Sequence, residues 1–269
     1  MDFQPSEERR ILADMIGKFI QNDYPLKARL NAGGSELGYS QRAYTQMAEL
    51  GLIGALFGEE IGGFGGGGFD IATVFTELGK GLINEPLNDT ALASGYIFAQ
   101  TGHLDWVENI IAGTKRVALA LIENGADYDW DMPETLAVSR GDSWTLSGTK
   151  TSVKFFHRAD AVIVSAETRG SDGISLFLVT ANAPGMTQHQ FQTVDGGSAC
   201  DINLCNTPAR LLGIEGGSYE ILDATAARCT LAVCAEALGL MDSIKIMTVD
   251  YLRTRQQFGT VLGKFQALQ

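Results

Sequence analysis

The apolar positions in the first part of the chain recur at helical spacing. The hydroxyl of Ser6 is suited to cap a helix whose first turn holds Glu7 and Glu8. The apolar face of this helix would consist of Ile11, Leu12, Met15, Ile16, Phe19 and Ile20. A second helix would begin after Ser40 and end at Gly51, and a third would end at Gly79. Two more would follow Asn88 and Gly102, the last ending at Gly113.

The pattern then changes to short segments rich in β-branched residues, separated by turns that contain glycine or proline. These segments are VALALI, TLAVS, SWTLS, AVIVSA, ISLFLV and CDINLC. Short strands at this spacing predict a mostly antiparallel sheet or barrel.

The last part of the chain returns to helical character. From Ser218 to Thr254 there is no proline and a single glycine, Gly239, which predicts one long helix. Gly259 would form a turn before another helix begins. The order of helices, strands and helices predicts an α+β fold with three parts, at residues 1–114, 115–213 and 214–269.

Composition limits the classes of partner. The chain of 269 residues has a net charge of −12, which repels polyanions, so we expect no nucleic-acid partner. No apolar run is long enough to predict a membrane span. The N-terminal sequence MDFQPSEERR is too charged for a signal peptide, and we expect a cytoplasmic protein.

Cysteine and histidine spacing gives no sign of a metal site. Cys200 and Cys205 are five positions apart and would face opposite sides of a strand. Cys229 and Cys234 have the same separation and would diverge on a helix. We therefore predict thiols in a reducing compartment and no metal ligands.

One glycine-rich stretch suggests a nucleotide. In EEIGGFGGGGFD, the residues Gly63, Gly65 and Gly68 satisfy G-x-G-x-x-G ahead of a predicted helix, and Glu85 follows at a suitable distance. An NAD-binding enzyme is therefore one hypothesis. Its context is poor, because helices precede the stretch and Pro86 argues against a central parallel strand after the helix.

Three longer motifs together resemble the acyl-CoA dehydrogenase family. The first is MAELGLIGALFGEEIGGFGGGGFDIATVFTELGKGL, the second is WTLSGTKTSVKFFHRADAVIVSA, and the third is RTRQQFGTVLGKFQALQ. The third is the most specific, since Arg, Phe-Gly and Phe-Gln recur in the family at fixed spacing. The resemblance covers the whole chain and implies a helical domain, a central β-barrel or sandwich domain, and a C-terminal helical bundle that this chain begins.

The resemblance implies a flavin-dependent reaction on an acyl-CoA substrate. In the family, a glutamate removes the α-proton of the thioester while hydride leaves the β-carbon for FAD, and electrons pass to an electron-transfer flavoprotein. Arg255 matches the arginine that reaches the FAD of a neighbouring subunit, so a homo- or hetero-oligomer, dimer or tetramer, is expected. The remaining matches to cofactor-binding positions are Gln257, Phe258, Gln266, Glu123, Ser152 and Val153.

The chain also departs from the family pattern. Ser152-Val153-Lys154 replaces the family's Trp-x-Thr beside the flavin, and GADYDWD replaces a Gly-Ser-Asp segment. Such departures resemble divergent bacterial members, of the pimeloyl-CoA and steroid-CoA dehydrogenase kind, that often work as pairs of unlike subunits. A non-catalytic partner subunit that completes the flavin site of a paralogue is therefore a second hypothesis.

The catalytic base is not evident. Most members carry it on helices after the Phe-Gln motif, so the chain resembles a truncated member whose base is expected beyond Gln269. A minority carry it on the long helix, where this chain has Arg228-Cys229-Thr230 and no carboxylate. Glu236 is a weak candidate two turns further along, with a surface charge as its expected role.

Overall fold

The computed structural model of the chain describes residues 5–125, 130–141, 143–170 and 173–268. The first part is helical, and a π-helical turn, Asn88–Ala93, leads directly into its fifth helix. The helices are α1 (Glu7–Asp23), α2 (Leu26–Gly33), α3 (Gln41–Glu49), α4 (Gly68–Lys80), α5 (Ser94–Gln100) and α6 (Leu104–Ile111).

The predicted caps and apolar faces account for most of these helices. The hydroxyl of Ser6 accepts a hydrogen bond from the Arg9 N–H at 3.4 Å, and that of Ser40 accepts one from Ala43 at 3.2 Å. On α1 the fully buried side chains are Leu12, Ile16 and Phe19. Helix α2 was not predicted, because Ala32 is its only buried residue and its sequence has no apolar stripe.

The middle of the chain forms a closed barrel. Its strands are β1 (Val117–Ala120), β2 (Leu136–Arg140), β3 (Ser143–Lys154), β4 (Ala161–Thr168), β5 (Ile174–Thr180), β6 (Met186–Gln192) and β7 (Ser198–Leu212). The hydrogen-bonded circuit runs β4-β2-β3-β7-β5 and returns to β4. Strand β1 adds to β4 and strand β6 adds to β7, so neither lies in the circuit.

Most pairs are antiparallel, as predicted, but β4 is parallel to both β1 and β2. Strand β6 was not predicted, since its sequence MTQHQFQ has no buried face to produce an alternating pattern. The barrel interior has its own cluster of buried side chains, among them Leu146, Val162, Phe177 and Ile202.

One long helix, α7 (Tyr219–Thr254), follows the barrel and crosses α4 closely. At the crossing, a side chain on Gly79 would overlap the Glu236 carbonyl oxygen, and one on Gly239 would overlap the carbonyl oxygen of Thr76. The prediction that α4 stops at Gly79 was thus wrong by one residue. The glycine is there because the two backbones touch, and α4 continues to Lys80.

The chain does not form a helix after α7, which corrects the sequence prediction. Strands β8 (Gln256–Gln257) and β9 (Thr260–Val261) make a small hairpin, and short 3₁₀ turns follow at Leu262–Lys264 and Gln266–Leu268. Gly259 does mark a turn, but glycines at 259 and 263 favour a tight hairpin over continued helix. Within the described residues, no helix is long and apolar enough to cross a membrane.

Candidate functional site

A polar cavity of about 110 Å³ lies where the helical part, the barrel and α7 meet. Lys154, the last residue of β3, and Asp195, in the turn after β6, border it from the barrel side. Glu236 borders it from α7. The other lining residues are Phe75, Leu78, Ile83, Asn84, Glu85, Pro86, Asn88, Asp89, Phe155 and Val233. A wider groove of about 630 Å³ between α1, α4 and α7 contains none of the candidate residues.

The cavity is rich in carboxyl groups. Burial raises the pKa of Asp89 and of Glu236, while the positive charge of Lys154 acts in the opposite direction on both. Burial also raises the pKa of Glu85, despite a hydrogen bond of 3.0 Å from the Ser40 N–H to its Oε1. The structure therefore gives Glu236 a half-buried position in a cavity instead of the surface position that the sequence suggested.

Glu123 lies away from this cavity, in a polar network inside the barrel. Its Oε1 accepts hydrogen bonds from Lys150 at 2.6 Å and from the Thr135 hydroxyl and N–H, and its Oε2 accepts one from the Glu134 N–H. Lys150 is fully buried and also donates to the Leu121 carbonyl and to Ser165. Because these contacts occupy both carboxylate oxygens, they support a structural role for Glu123.

Charge states in this network are set by burial and pairing. Burial lowers the pKa of Lys150 to about 8, although Glu123 opposes this shift. For Glu123, burial favours the neutral form, but the hydrogen bonds from Lys150 and Thr135 outweigh it and lower the pKa. We infer an ion pair at neutral pH.

Ser152 and Val153 lie at an irregularity of β3. The register with β7 shifts between Lys150 and Val153, and Ser152 has a left-handed backbone with φ of 56°. The Ser152 N–H donates to Oδ1 of Asp201 at 3.0 Å, whereas its side chain is exposed. The side chain of Val153 is buried in the barrel. Only the Ser152 hydroxyl is thus directed toward solvent and free to meet a ligand.

The other candidate cofactor residues are on the C-terminal hairpin and, for Gln266, on a 3₁₀ turn that follows it. The side chains of Arg255, Gln257, Phe258 and Gln266 are all exposed, and Phe258 is 91% exposed at the tip of the turn. Phe258 has φ of 52° and Gly259 has φ of 78°, the backbone of a two-residue hairpin turn. Among the described residues, no hydrogen bond or ion pair joins this hairpin to the barrel. The structure therefore places Glu123, Ser152 and Val153 in the barrel part of the chain. It places Arg255, Gln257, Phe258 and Gln266 in a separate region after α7.

The glycine-rich stretch is not arranged as a phosphate-binding loop. Its N–H groups already donate within the loop: Gly63 to Gly58, Phe64 to Gly54, Gly65 to Phe57 and Gly66 to Ala55. The segment before it contains a 3₁₀ turn, Gly54–Leu56, instead of a strand. A nucleotide phosphate would find these amide donors occupied.

Arg228 of α7 holds the same loop in place. Its guanidinium donates to the carbonyls of Leu56 and Gly66 and lies 4.8 Å from the ring centre of Tyr96. Burial lowers the pKa of Arg228. At the position where some relatives would carry a base, this chain thus uses an arginine to join α7 to the helical part.

Sequence reasoning did not identify Asn88, Asp89 or Asp195 as site residues. Asn88 was interpreted as the cap of a helix, although Asn88 and Asp89 begin a π-helical turn, a feature often found at functional sites. The only feature in the sequence that could have indicated a site here is the acidic residue Asp89 beside an apolar helical run. Residues 126–129, part of the segment that replaces the family's Gly-Ser-Asp, lie outside the described residues.

Comparison with known proteins gives a consistent assignment. Residues 6–101 match the acyl-CoA dehydrogenase N-terminal domain, and residues 118–206 match the acyl-CoA dehydrogenase middle domain. The chain is 27% identical to the probable acyl-CoA dehydrogenase YngJ of Bacillus subtilis, covering 100% of the chain and 74% of that relative.

Solved structures agree with the sequence matches. A variant of the Tcur3481-Tcur3483 steroid ACAD is 30% identical with a TM-score of 0.86, over 97% of this chain and 71% of that one. The ChsE4-ChsE5 complex from Mycobacterium tuberculosis is 25% identical with a TM-score of 0.86, over 99% and 72%. On its sequence, its fold and its C-terminal motif, this chain belongs to the acyl-CoA dehydrogenase family of flavin-dependent oxidoreductases.

Proposed function

We propose that the chain is a subunit of an FAD-dependent acyl-CoA dehydrogenase and that its C-terminal hairpin binds FAD across a subunit interface. The observation that carries this proposal is the exposure of two side chains on the same hairpin, Arg255, which forms no ion pair among the described residues, and Phe258. A guanidinium fork matches the geometry of a pyrophosphate, and an exposed aromatic ring is suited to pack on a cofactor. The hydroxyl of Ser152 would contact the flavin bound to the same chain.

These residues fit the cofactor by their chemistry. Arg255 forms no ion pair among the described residues, so it has all its donors available for an anion. When bound, FAD supplies the acceptor for the hydride that leaves the β-carbon of the thioester. The protein orients the acyl group and provides a base for the α-proton, and Glu236 is the candidate that lines the cavity.

Cofactor binding is tested with two neighbouring arginines. Substituting Arg255→Ala should remove a charge-assisted contact of about 1.5–3 kcal/mol and weaken FAD binding roughly 10- to 100-fold. Arg253→Ala is the matched control, since Arg253 is also exposed and lies 4.0 Å from the Asp250 carboxylate on α7. The measurement is flavin retention by absorbance and fluorescence titration. Equal retention by the two variants would contradict the proposed contact.

Catalysis is tested with an electron-acceptor assay on the purified chain with saturating FAD and a series of acyl-CoA thioesters. We expect no turnover by this chain alone, because at the position on α7 where some relatives carry the base it has Arg228, which is bound to the carbonyls of Leu56 and Gly66, and Glu236 lies two turns further along. Turnover that is abolished by Glu236→Gln would contradict this expectation and identify Glu236 as the base. Turnover that survives the substitution would place the base on another residue.

The proposed partners follow from the family and from the surface of α7. The natural electron acceptor would be an electron-transfer flavoprotein, and the assembly a dimer or tetramer of like or unlike subunits. One of the similar solved structures is itself a complex of two named chains. We also propose a cytoplasmic location, which is consistent with the free thiols of Cys200, Cys205, Cys229 and Cys234.

A further inference from the structure

The cavity beside Lys154 contains buried hydrogen-bond acceptors that have no donor. Glu85 is only 6% exposed, and its Oε2 has no hydrogen-bond partner among the described residues. The Oδ1 atom of Asn88 is buried and unpartnered in the same way. The hydroxyl of Tyr24 is also buried and without a partner among the described residues, and it lies near the Glu85 carboxyl, whose pKa it lowers, although it is not in hydrogen-bond geometry with Oε2. Buried acceptors of this kind are costly to leave unpaired.

The groups around these two atoms add acceptors and few donors. The carboxyl groups of Asp89, Asp195 and Glu236 border the same cavity, and Lys154 is the single basic residue in its lining. Within the described residues, the Lys154 ammonium forms no hydrogen bond and no ion pair within 4.0 Å. Four acidic side chains and one basic side chain therefore line the cavity, which has a surplus of acidic groups and of acceptor atoms.

The size and polarity of the cavity argue against an alkyl tail. About 110 Å³ accommodates only a few non-hydrogen atoms. An apolar chain placed there would remove water from the carboxyl groups and supply no hydrogen bond in return. A carboxylate would add a further acidic group to the four that already line the cavity. A cation with several N–H donors would satisfy the unpartnered acceptors and balance the charge.

We propose that this cavity receives the end of a short acyl group that carries an ammonium, or a comparable cationic hydrogen-bond donor, and that Glu85, Asn88 and Asp89 determine this selectivity. The inference rests on the proposed function, because it takes the cavity to be the place where the acyl part of the thioester binds. It adds the chemical class of the substrate: a short aminoacyl thioester instead of a fatty or dicarboxylic one.

The experiment compares thioesters that differ at one position. 3-Aminopropionyl-CoA and butyryl-CoA have the same length and differ by an ammonium in place of a methyl group, while succinyl-CoA adds a carboxylate. Dissociation constants are measured by calorimetry on the full chain saturated with FAD. We expect 3-aminopropionyl-CoA to bind at least tenfold more tightly than butyryl-CoA, and succinyl-CoA to bind most weakly.

Variants test which residues select the ligand. Asp89→Asn should reduce the preference for the ammonium to less than threefold, whereas Glu77→Gln should leave it unchanged, because Glu77 pairs with Lys80 on α4 outside the cavity. If the unsubstituted chain binds butyryl-CoA as tightly as 3-aminopropionyl-CoA or more tightly, the inference is overturned, while the proposed function is unaffected. That measurement decides the matter even if Asp89→Asn does not fold. If no thioester binds, acetyl-CoA included, the proposed function itself fails and the inference fails with it.

Discussion

At the scale of single residues, the buried pair of Glu123 and Lys150 is the interaction whose loss should cost most. Lys150 is fully buried and Glu123 is the acid that neutralises it, at 2.6 Å. Glu123→Gln would leave an ammonium inside the barrel without a counter-charge. We expect the free energy of unfolding to fall by about 3–5 kcal/mol, measured by urea denaturation at pH 7. In the partly exposed pair of Glu77 and Lys80, Glu77→Gln should cost no more than about 1 kcal/mol.

The pH dependence of the free energy of unfolding provides the control for this prediction. The folded state lowers the pKa of Glu123 below 4.5, so its contribution to stability is present above pH 4.5 and is lost as the pH falls through the lowered value. The difference in stability between the unsubstituted chain and Glu123→Gln should therefore shrink in acid. A difference that stays constant from pH 7 to pH 3 would contradict the ion pair.

The site residues show what sequence could and could not predict at this scale. Glu123 and Ser152 were predicted as candidates because they occupy motif positions, but their hydrogen bonds depend on long-range contacts with Lys150 and Asp201. Asn88 and Asp89 carried no motif at all. They become a site only because α7 and the end of β3 are brought against the π-helical turn, which no local pattern indicates.

At the scale of elements, the crossing of α4 and α7 depends on two glycines. Gly79→Ala or Gly239→Ala would place a methyl group against a backbone carbonyl of the other helix, which cannot move aside as a side chain can. We expect each substitution to lower the free energy of unfolding by about 1–3 kcal/mol or more, measured by chemical denaturation. Gly17→Ala on α1 is the matched control.

The control should change stability in the opposite direction. No atom lies within 4 Å of the position that a side chain on Gly17 would take, so alanine there should add about 0.5–1 kcal/mol through its higher helix propensity. If all three substitutions had the same effect, the close approach of α4 and α7 would not be the cause.

The elements that sequence predicted well are those with a strong internal pattern. Helix α7 was predicted from Ser218 to Thr254 and runs from Tyr219 to Thr254, because nothing in that span interrupts it. Helix α2 and strand β6 were missed, since both are largely exposed and neither has an apolar face. The hairpin after α7 was taken for a helix because its apolar residues happen to lie at helical intervals.

At the scale of the whole molecule, α7 has more apolar surface than a single chain can cover. The exposed side chains along it include Val233, Leu238, Met241, Ile244, Met247 and Tyr251, each more than half exposed. A contiguous apolar surface of this kind marks a protein interface. We expect a dimer or larger assembly in light scattering at micromolar concentration, and a stable folded monomer under those conditions would contradict this.

The overall plan of helices, barrel and helix was predictable, but the closure of the barrel was not. The short strands suggested either a sheet or a barrel, and the choice depends on β4, which pairs with β5 on one side and with both β1 and β2 on the other. Such pairings join residues far apart in the chain. Their register is fixed by packing inside the barrel and leaves no trace in the spacing of any one segment.

The glycine crossing has a mechanical consequence for the assembly. Beyond it, the last hydrogen bond between α7 and α4 runs from the Ser243 hydroxyl to the Lys80 carbonyl, and α7 then continues to Thr254 for about three turns, roughly 16 Å. The last three turns of α7 are therefore anchored to α4 at the glycine crossing beside the cavity. They carry the Arg255 hairpin at their other end. A rotation of about 5° at the crossing would move that end by more than 1 Å.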